Sequence, residues 1–485
     1  MRRLELHPDR ALPAGGEIRE TARRIYRTVA GLPLVCMHGH IEAAVLADDS
    51  SFDDPAQLLV VPDHYVTRML ASQGIPLDQM GVASVDGSRS EVDSRAIWRL
   101  FCAHWHLFRG TASRYWLEHE LVEVLGVDLV PSTETADTIF DQISARIREP
   151  DFRPRALLDR FNIGILATTD SAVADLRHHA RLREEGFGAR VVPTFRPDAL
   201  VHLRHGGWRD QLNRLAELSG EDTTTYDGYL EALRLRRQAF VAAGGLATDH
   251  GHATPDTTPL PLKDARRIFD RAGDALATEE EEVAFAGHML CQMAAMSCDD
   301  GLVMQIHPGV VRDYDSKVHA TFGTDQGFDI PVAAEFTRAL RPILERFGHN
   351  PRFRLVLFTI DEATYSRELA PLAGAYPSVR LGAPWWFLDS PDGMRRFREL
   401  VTETAGFYNT SGFVDDTRAF LSIPARHDLA RRIDAGYLAR LVVEHRLDED
   451  EAVETATDLA YRLPLDAYAR QETGGAAAQS LVASV

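Results

Sequence analysis

From residue 150 onward the chain alternates between two kinds of segment, and this rhythm constrains its fold more than any other feature. Short apolar or β-branched runs lie at 162–170, 190–197, 243–250, 302–308, 353–361, 379–387 and 408–416. Longer stretches with apolar residues at helical spacing separate them, at 172–185, 229–242, 279–298, 331–347, 362–375 and 393–404, with another at 426–435 after the last run. One further strand-like run, 32–38, stands far upstream and brings the total to eight. Strands that alternate with helices pair in parallel, because each crossover helix returns the chain to the same end of the sheet. Eight such units predict an α/β chain closed as a (β/α)8 TIM barrel. A doubly wound open sheet is the competitor. It is disfavoured because no Gly-x-Gly-x-x-Gly turn follows the first run.

On this reading the barrel comprises 31–45 and 150–440. Residues 1–30 form a helical lead-in, with Ile18, Ala22, Ile25 and Val29 at helical spacing. Residues 46–149 contain few strand-like runs and are expected to be a helical insertion after strand 1, carrying Asp63-His64-Tyr65. A C-terminal helical segment is expected over 441–470. Residues 471–485 are rich in Ala, Gly and Ser without periodicity and are expected to fray.

Composition removes several function classes. A net charge of −19 opposes non-specific nucleic-acid binding, which depends on phosphate neutralisation. No apolar run approaches the roughly 20 residues of a membrane span, and the opening residues lack the apolar core of a secretion signal. Cys36, Cys102, Cys291 and Cys298 form no Cys-x-x-Cys pair, so a reducing cytoplasm is the expected compartment. The two lysines, Lys263 and Lys317, are both expected in loops, which leaves few groups for a Schiff base or a carbamate. The sequence leaves the oligomeric state open, a homo-oligomer included.

In this architecture chemistry gathers at the C-terminal strand ends. The first run ends His38-Gly39-His40. Residues two apart in an extended chain face the same side, so both imidazoles aim at one point. The other runs close on Thr169-Asp170, Phe195-Arg196, Asp249-His250, Ile306-His307, Ile360-Asp361, Trp385-Trp386 and Asp415-Asp416. Aspartate at a strand end often caps the next helix, and Asp170 and Asp361 fit that role. Histidine, arginine and a tryptophan pair do not, and their accumulation on one rim is the signal. Strand eight adjoins strand one in a closed barrel, so Asp415 or Asp416 completes a two-His, one-carboxylate set for a divalent metal. Only one of that pair can face the axis. His250 and His307 offer a second site or hydrogen bonds to substrate. His104-Trp105-His106 serves as a control: in a helix its rings diverge by roughly 200° and cannot grip one ion. His178-His179 are expected to be solvated on a helix.

Longer motifs make a specific resemblance. Asp63-His64-Tyr65 with Arg68, Pro193-Thr194-Phe195-Arg196-Pro197-Asp198, Trp385-Trp386-Phe387 with Asp389, Asp416-Thr417-Arg418 with Phe420-Leu421-Ser422, and Arg426-His427-Asp428 resemble segments of the uronate (glucuronate) isomerases of the amidohydrolase superfamily. The resemblance implies one divalent metal held by His38, His40 and Asp416, commonly zinc, with Mn, Fe or Co as alternatives. It implies aldose–ketose isomerisation of a hexuronate, such as D-glucuronate to D-fructuronate; the residues permit metal-assisted proton transfer, and the sequence leaves a hydride shift open. His64, Tyr65, Arg196 and Arg418 match family active-site positions, and Trp385 lies in a matching segment. Asp416, His64 and Tyr65 are therefore the candidate catalytic residues. Arg196, Arg418, Trp385 and His307 are the candidate substrate contacts, since a sugar-acid carboxylate suits arginine. The chain departs from the family pattern at Asp415, where a small hydroxylated residue is usual, at Met37 and Gly39, and by one extra residue between Ser422 and Arg426.

The alternative function is a mononuclear metal-dependent hydrolase of the same superfamily. Binuclear members often bridge two metals with a carbamylated lysine at the end of strand four. Here that strand ends Thr248-Asp249-His250, without a lysine.

Overall fold

A computed structural model describes residues 2–88 and 92–470. The expected tail at 471–485 lies outside the described residues. In chain order the strands are β1 (Leu34–Cys36), β2 (Ile163–Ser171), β3 (Val191–Arg196), β4 (Ala247–His250), β5 (Val303–Ile306), β6 (Val310–Val311), β7 (Ile330–Pro331), β8 (Leu355–Leu357) and β9 (Val379–Leu381). β6 and β7 pair as an antiparallel hairpin, while the other seven form one parallel sheet in sequence order. The register sets strand ends level: Ser171 faces Arg196, and His250 faces Ile306. Residues 191–195 of β3 are all buried, as expected of a parallel strand covered on both faces.

Helices supply that cover. The helix Glu279–Asp300 begins with a capping box between Thr278 and Glu281, carries four glutamates in its first turn, and stops at Gly301 in the left-handed region. The fully buried Arg237 ties the helix Tyr226–Ala242 to its end, donating to both carboxylate oxygens of Asp300 at 2.6 and 2.9 Å. Between β1 and β2, helices including His64–Ala71, Ser94–Ala103, Ala112–His119 and Ala136–Arg146 pack around Trp98, Phe101, Phe108 and Ile139. That core also takes in Leu34 and Cys36 of β1, so the segment bearing His64 and Tyr65 is fastened to the first strand. The helix Gly16–Val29 packs against Ile423–Val443 and Glu449–Thr457. No helix among the described residues is long and apolar enough to cross a membrane.

Several expectations are corrected. The run 408–416 is not a strand. Its ladder to β9 is one bridge, Leu381 to Thr410, because Gly412 turns into the left-handed region at φ 75° and packs on Pro464. The run nevertheless reaches the first strand: Asp416 N–H donates to His38 O, and His40 N–H donates to Thr417 O. Lys263 and Lys317 lie not in loops but in the first turns of the helices Leu262–Gly273 and Ser316–Phe322, both exposed. His179 is buried rather than solvated, with its Nε2 2.9 Å from Thr168 Oγ1. His104 ends a helix and His106 lies in the 3-10 turn Trp105–Phe108.

Candidate active site

The structure brings His38, His40 and Asp416 together. Asp416 Oδ1 lies 3.5 Å from His38 Nε2 and 3.0 Å from His40 Nε2. The extended chain beyond β1 supplies the two imidazoles. The backbone hydrogen bonds from 416 and to 417 supply the carboxylate, and Asp416 itself sits at φ 41°. A non-glycine residue in that region is strained by about 1 to 3 kcal/mol, a cost that the surrounding contacts offset. Burial works to raise the Asp416 carboxyl, but His38 and His40 outweigh it and hold it well below the usual carboxylate range. Burial also lowers His40, which favours a neutral ring with a free lone pair.

Next to this trio stands a second polar set. Asp249, almost wholly buried at the end of β4, lies 2.7 Å from His307 Nδ1 and 3.1 Å from Arg196 Nη1. Arg196 Nε also donates to Asp198 Oδ2 at 2.8 Å, so two carboxylates orient its guanidinium. Burial would raise Asp249, but His307 and Arg196 hold it well below the ordinary range. The His307 ring stacks on His38 with centroids 4.7 Å apart and meets Trp385 edge-on at 4.9 Å.

The opposite wall comes from the helix His64–Ala71. Asp63 caps it by accepting from Tyr65 N–H at 2.9 Å. His64 stacks on Tyr65 and leans on Trp386. Burial, aided by the Arg418 charge, lowers His64 to about 3. The Tyr65 hydroxyl donates to Asp389 Oδ2 at 3.0 Å, and Arg426 Nη1 donates to the same oxygen at 2.9 Å. Arg426 is itself buried, with its guanidinium 3.6 Å over the Trp116 ring. Burial pushes Asp389 up to about 6 against the pull of Arg426. Burial and Asp389 together push the Tyr65 phenol well above its usual range.

The segment between β6 and β7 adds the rim. Asp325 Oδ2 pairs with Arg418 Nη2 at 3.0 Å. Arg312 pairs with Asp329 at 2.8 Å and lies over Trp386. Arg196, Asp249, Arg312, Asp325 and Arg426 line one open cavity together with the histidines, Tyr65, Asp416 and Arg418. Of the candidates named from the sequence, His38, His40, His64, Tyr65, Arg196, His307, Trp385, Asp416 and Arg418 line it, while His250 and Asp415 do not.

Three donors of the types that hold first-row divalent ions thus converge, with ligand atoms all within 4.8 Å of one another. Their 3.0 and 3.5 Å spacings bracket the roughly 3.3 Å that separates nitrogen and oxygen donors around tetrahedral zinc. The residues therefore fit one cation. His38 belongs also to a second such group, with Asp249 and His307.

Asp249, Arg312, Asp325, Asp389 and Arg426 were not among the candidates. Asp249 carried a readable signal: a carboxylate inside a strand covered on both faces requires partners. Arg312 and Asp325 lie in a segment without periodicity and carried none.

A model of the glucuronate isomerase family matches residues 17–467. A uronate isomerase from Rhizorhabdus wittichii is 55% identical over 465 residues, covering 96% of this chain and 98% of that protein. The crystal structure of glucuronate isomerase from Caulobacter crescentus superposes with a TM-score of 0.94 at 49% identity, covering 96% of this chain and 97% of that one. A uronate isomerase structure from Thermotoga maritima gives a TM-score of 0.89 at 28% identity, covering 96% and 99%. With sequence, fold and site geometry in agreement over nearly its full length, the chain belongs to the glucuronate isomerase family of the amidohydrolase superfamily.

Proposed function

We propose that the chain interconverts the aldose and ketose forms of a hexuronate, with D-glucuronate and D-fructuronate as the pair, in the cavity described above. One observation carries the reading: the convergent His38, His40 and Asp416 share a single cavity with Arg196, Arg312 and Arg418. Metal donors beside several guanidinium groups suit a sugar that carries a carboxylate. The site then crowns a (β/α)8 barrel comprising 31–45 and 150–440. Residues 408–417 close it between β9 and β1, and 46–149 are an insertion.

His38, His40 and Asp416 hold the divalent ion, with zinc the favoured identity. When bound, such an ion polarises carbonyl and hydroxyl oxygens. Arg418 and Arg196 bind and orient the substrate carboxylate, and Trp385 with His307 walls the sugar. Isomerisation moves a proton between adjacent carbons, and His64 and Tyr65 are the carriers. Burial keeps the His64 ring neutral with its Nδ1 unpartnered, and the Tyr65 phenol stays protonated. Asp416 takes a hydroxyl proton during ring opening. General acid–base assistance of this kind contributes roughly 10² to 10⁴ in rate. All four cysteines are free and buried, which agrees with a reducing cytoplasm.

The test is carbon NMR of D-glucuronate incubated with the metal-loaded protein in deuterated water. Ketose with deuterium beside the carbonyl is the expected product. No turnover of any hexuronate, with acid or amine released from an ester or amide instead, would overturn the reading in favour of a hydrolase.

A further inference from the structure

Asp415, one of the departures from the family pattern, does not face the cavity. It meets Cys36 of β1 and His427 of the helix Ile423–Val443 in a trio that is absent from the cavity lining. Relative exposures are 0% for Cys36, 2% for Asp415 and 4% for His427. His427 Nε2 lies 3.5 Å from Cys36 Sγ and 3.3 Å from Asp415 Oδ2. Zinc–sulfur bonds of about 2.3 Å and zinc–nitrogen or zinc–oxygen bonds of about 2.0 Å, set at the tetrahedral angle, give a sulfur–nitrogen edge of about 3.5 Å and a nitrogen–oxygen edge of about 3.3 Å.

Hydrogen bonding accounts for part of the trio: the Cys36 thiol and His427 Nε2 both reach the Asp415 carboxylate. Asp415 Oδ1 is buried without any hydrogen-bond partner. Arg426 comes near but donates to the Asp415 backbone carbonyl, not to its carboxylate. Among the described residues the only ion-pair partner of that carboxylate is His427. A carboxylate oxygen buried without a partner is costly unless a cation accompanies it. The position of Gly39 fits as well: a Cβ there would come 3.3 Å from Asp415 Oδ1, so the missing side chain leaves that oxygen room.

We propose that Cys36, His427 and Asp415 form a second divalent-cation site, of the zinc class, distinct from the one at His38, His40 and Asp416. A thiolate donor selects zinc over magnesium or calcium. A chelating Asp415 supplies both oxygens, which gives the ion four donor atoms and employs the orphaned Oδ1. On loading, the Cys36 thiol proton leaves to solvent, so thiolate and carboxylate together balance the dication. The ion then ties the end of β1, the 415–416 segment and the helix Ile423–Val443 at one point, beneath the candidate active site. This is a structural role.

The experiment is metal analysis of the full-length protein grown with zinc or with cobalt. Two equivalents per chain are expected. The cobalt form should show a sulfur-to-cobalt charge-transfer band in the near ultraviolet, which a site built from His38, His40 and Asp416 cannot give. Cys36→Ser should remove the band and lower the content from two equivalents to one. If that variant does not fold, zinc-edge X-ray absorption of the unaltered protein decides the matter, through a sulfur neighbour at about 2.3 Å. One equivalent with sulfur contact would support this site even if the catalytic metal reading failed. Folded protein with no sulfur-bound metal, at any stoichiometry, would overturn it.

Discussion

The ion pair between Arg418 and Asp325 places a protein carboxylate where the proposed function needs a substrate carboxylate. The 3.0 Å contact spans the cavity mouth, and its side chains are 34% and 51% exposed. Asp325 is held there by its backbone: it sits at φ 64°, and its N–H donates to Asp313 Oδ1 at 3.1 Å. A substrate whose carboxylate binds Arg418 must displace Asp325 first. Ion pairs this exposed are worth about 0.2 to 1 kcal/mol. Asp325→Asn releases that competition, so substrate binding should strengthen by a factor of about 1.4 to about 5. The pair is broken equally in the bound ground state and the transition state, so kcat should stay and KM should fall. Steady-state kinetics read by ketose formation test this, with circular dichroism and metal content as controls. The gap between variant and parent should narrow as salt rises, because salt screens exposed charges. An unchanged KM in a folded, metal-loaded variant would refute the displacement argument. A raised KM would show instead that Asp325 holds a sugar hydroxyl.

Further outcomes can be checked independently. His40→Ala should remove one metal equivalent and lower turnover by about 10³, the scale of several kcal/mol of charge stabilisation; metal analysis beside the rate assay decides it. Arg196→Lys cannot reproduce the fork that spans Asp198 and Asp249, so kcat/KM should fall about tenfold to about 150-fold, the worth of one charged hydrogen bond. Tyr65→Phe should keep the metal and lose about 10² to 10⁴ in kcat; unaltered kcat would exclude Tyr65 as a proton carrier. Glu120 is buried, and burial together with Asp63 pushes it from 4.5 up to about 8. Between those values the folded chain keeps a proton that the unfolded chain has lost, so stability declines as pH rises, by about 1.4 kcal/mol per unit. Glu120→Gln should flatten that slope in urea denaturation between about pH 5.5 and about pH 7.5, and identical slopes in the two proteins would contradict the shift.

Two pairs of neighbouring residues show where the sequence is legible and where it stops. The strand rhythm gave the parallel α/β architecture, and the period of two gave His38 and His40, because both follow from local geometry that the chain carries on its face. At Asp415-Asp416 and Asp249-His250 the same alternation assigns one member to the cavity and the other away from it, but sequence alone cannot say which. The structure resolves both. Asp416 reaches His38 and His40, while Asp415 turns to Cys36 and His427. Asp249 reaches His307 and Arg196, while His250 Nε2 turns to Thr248 Oγ1. The choice at 415–416 depends on two left-handed residues, Gly412 and Asp416. They break the eighth run as a strand and let it cross to β1 by single hydrogen bonds. A strict eighth strand would have kept the ladder to β9, yet it is the departure from regular pairing that delivers the Asp416 carboxylate to the two histidines. The interruption that made the last run hard to read is therefore part of how the site is built.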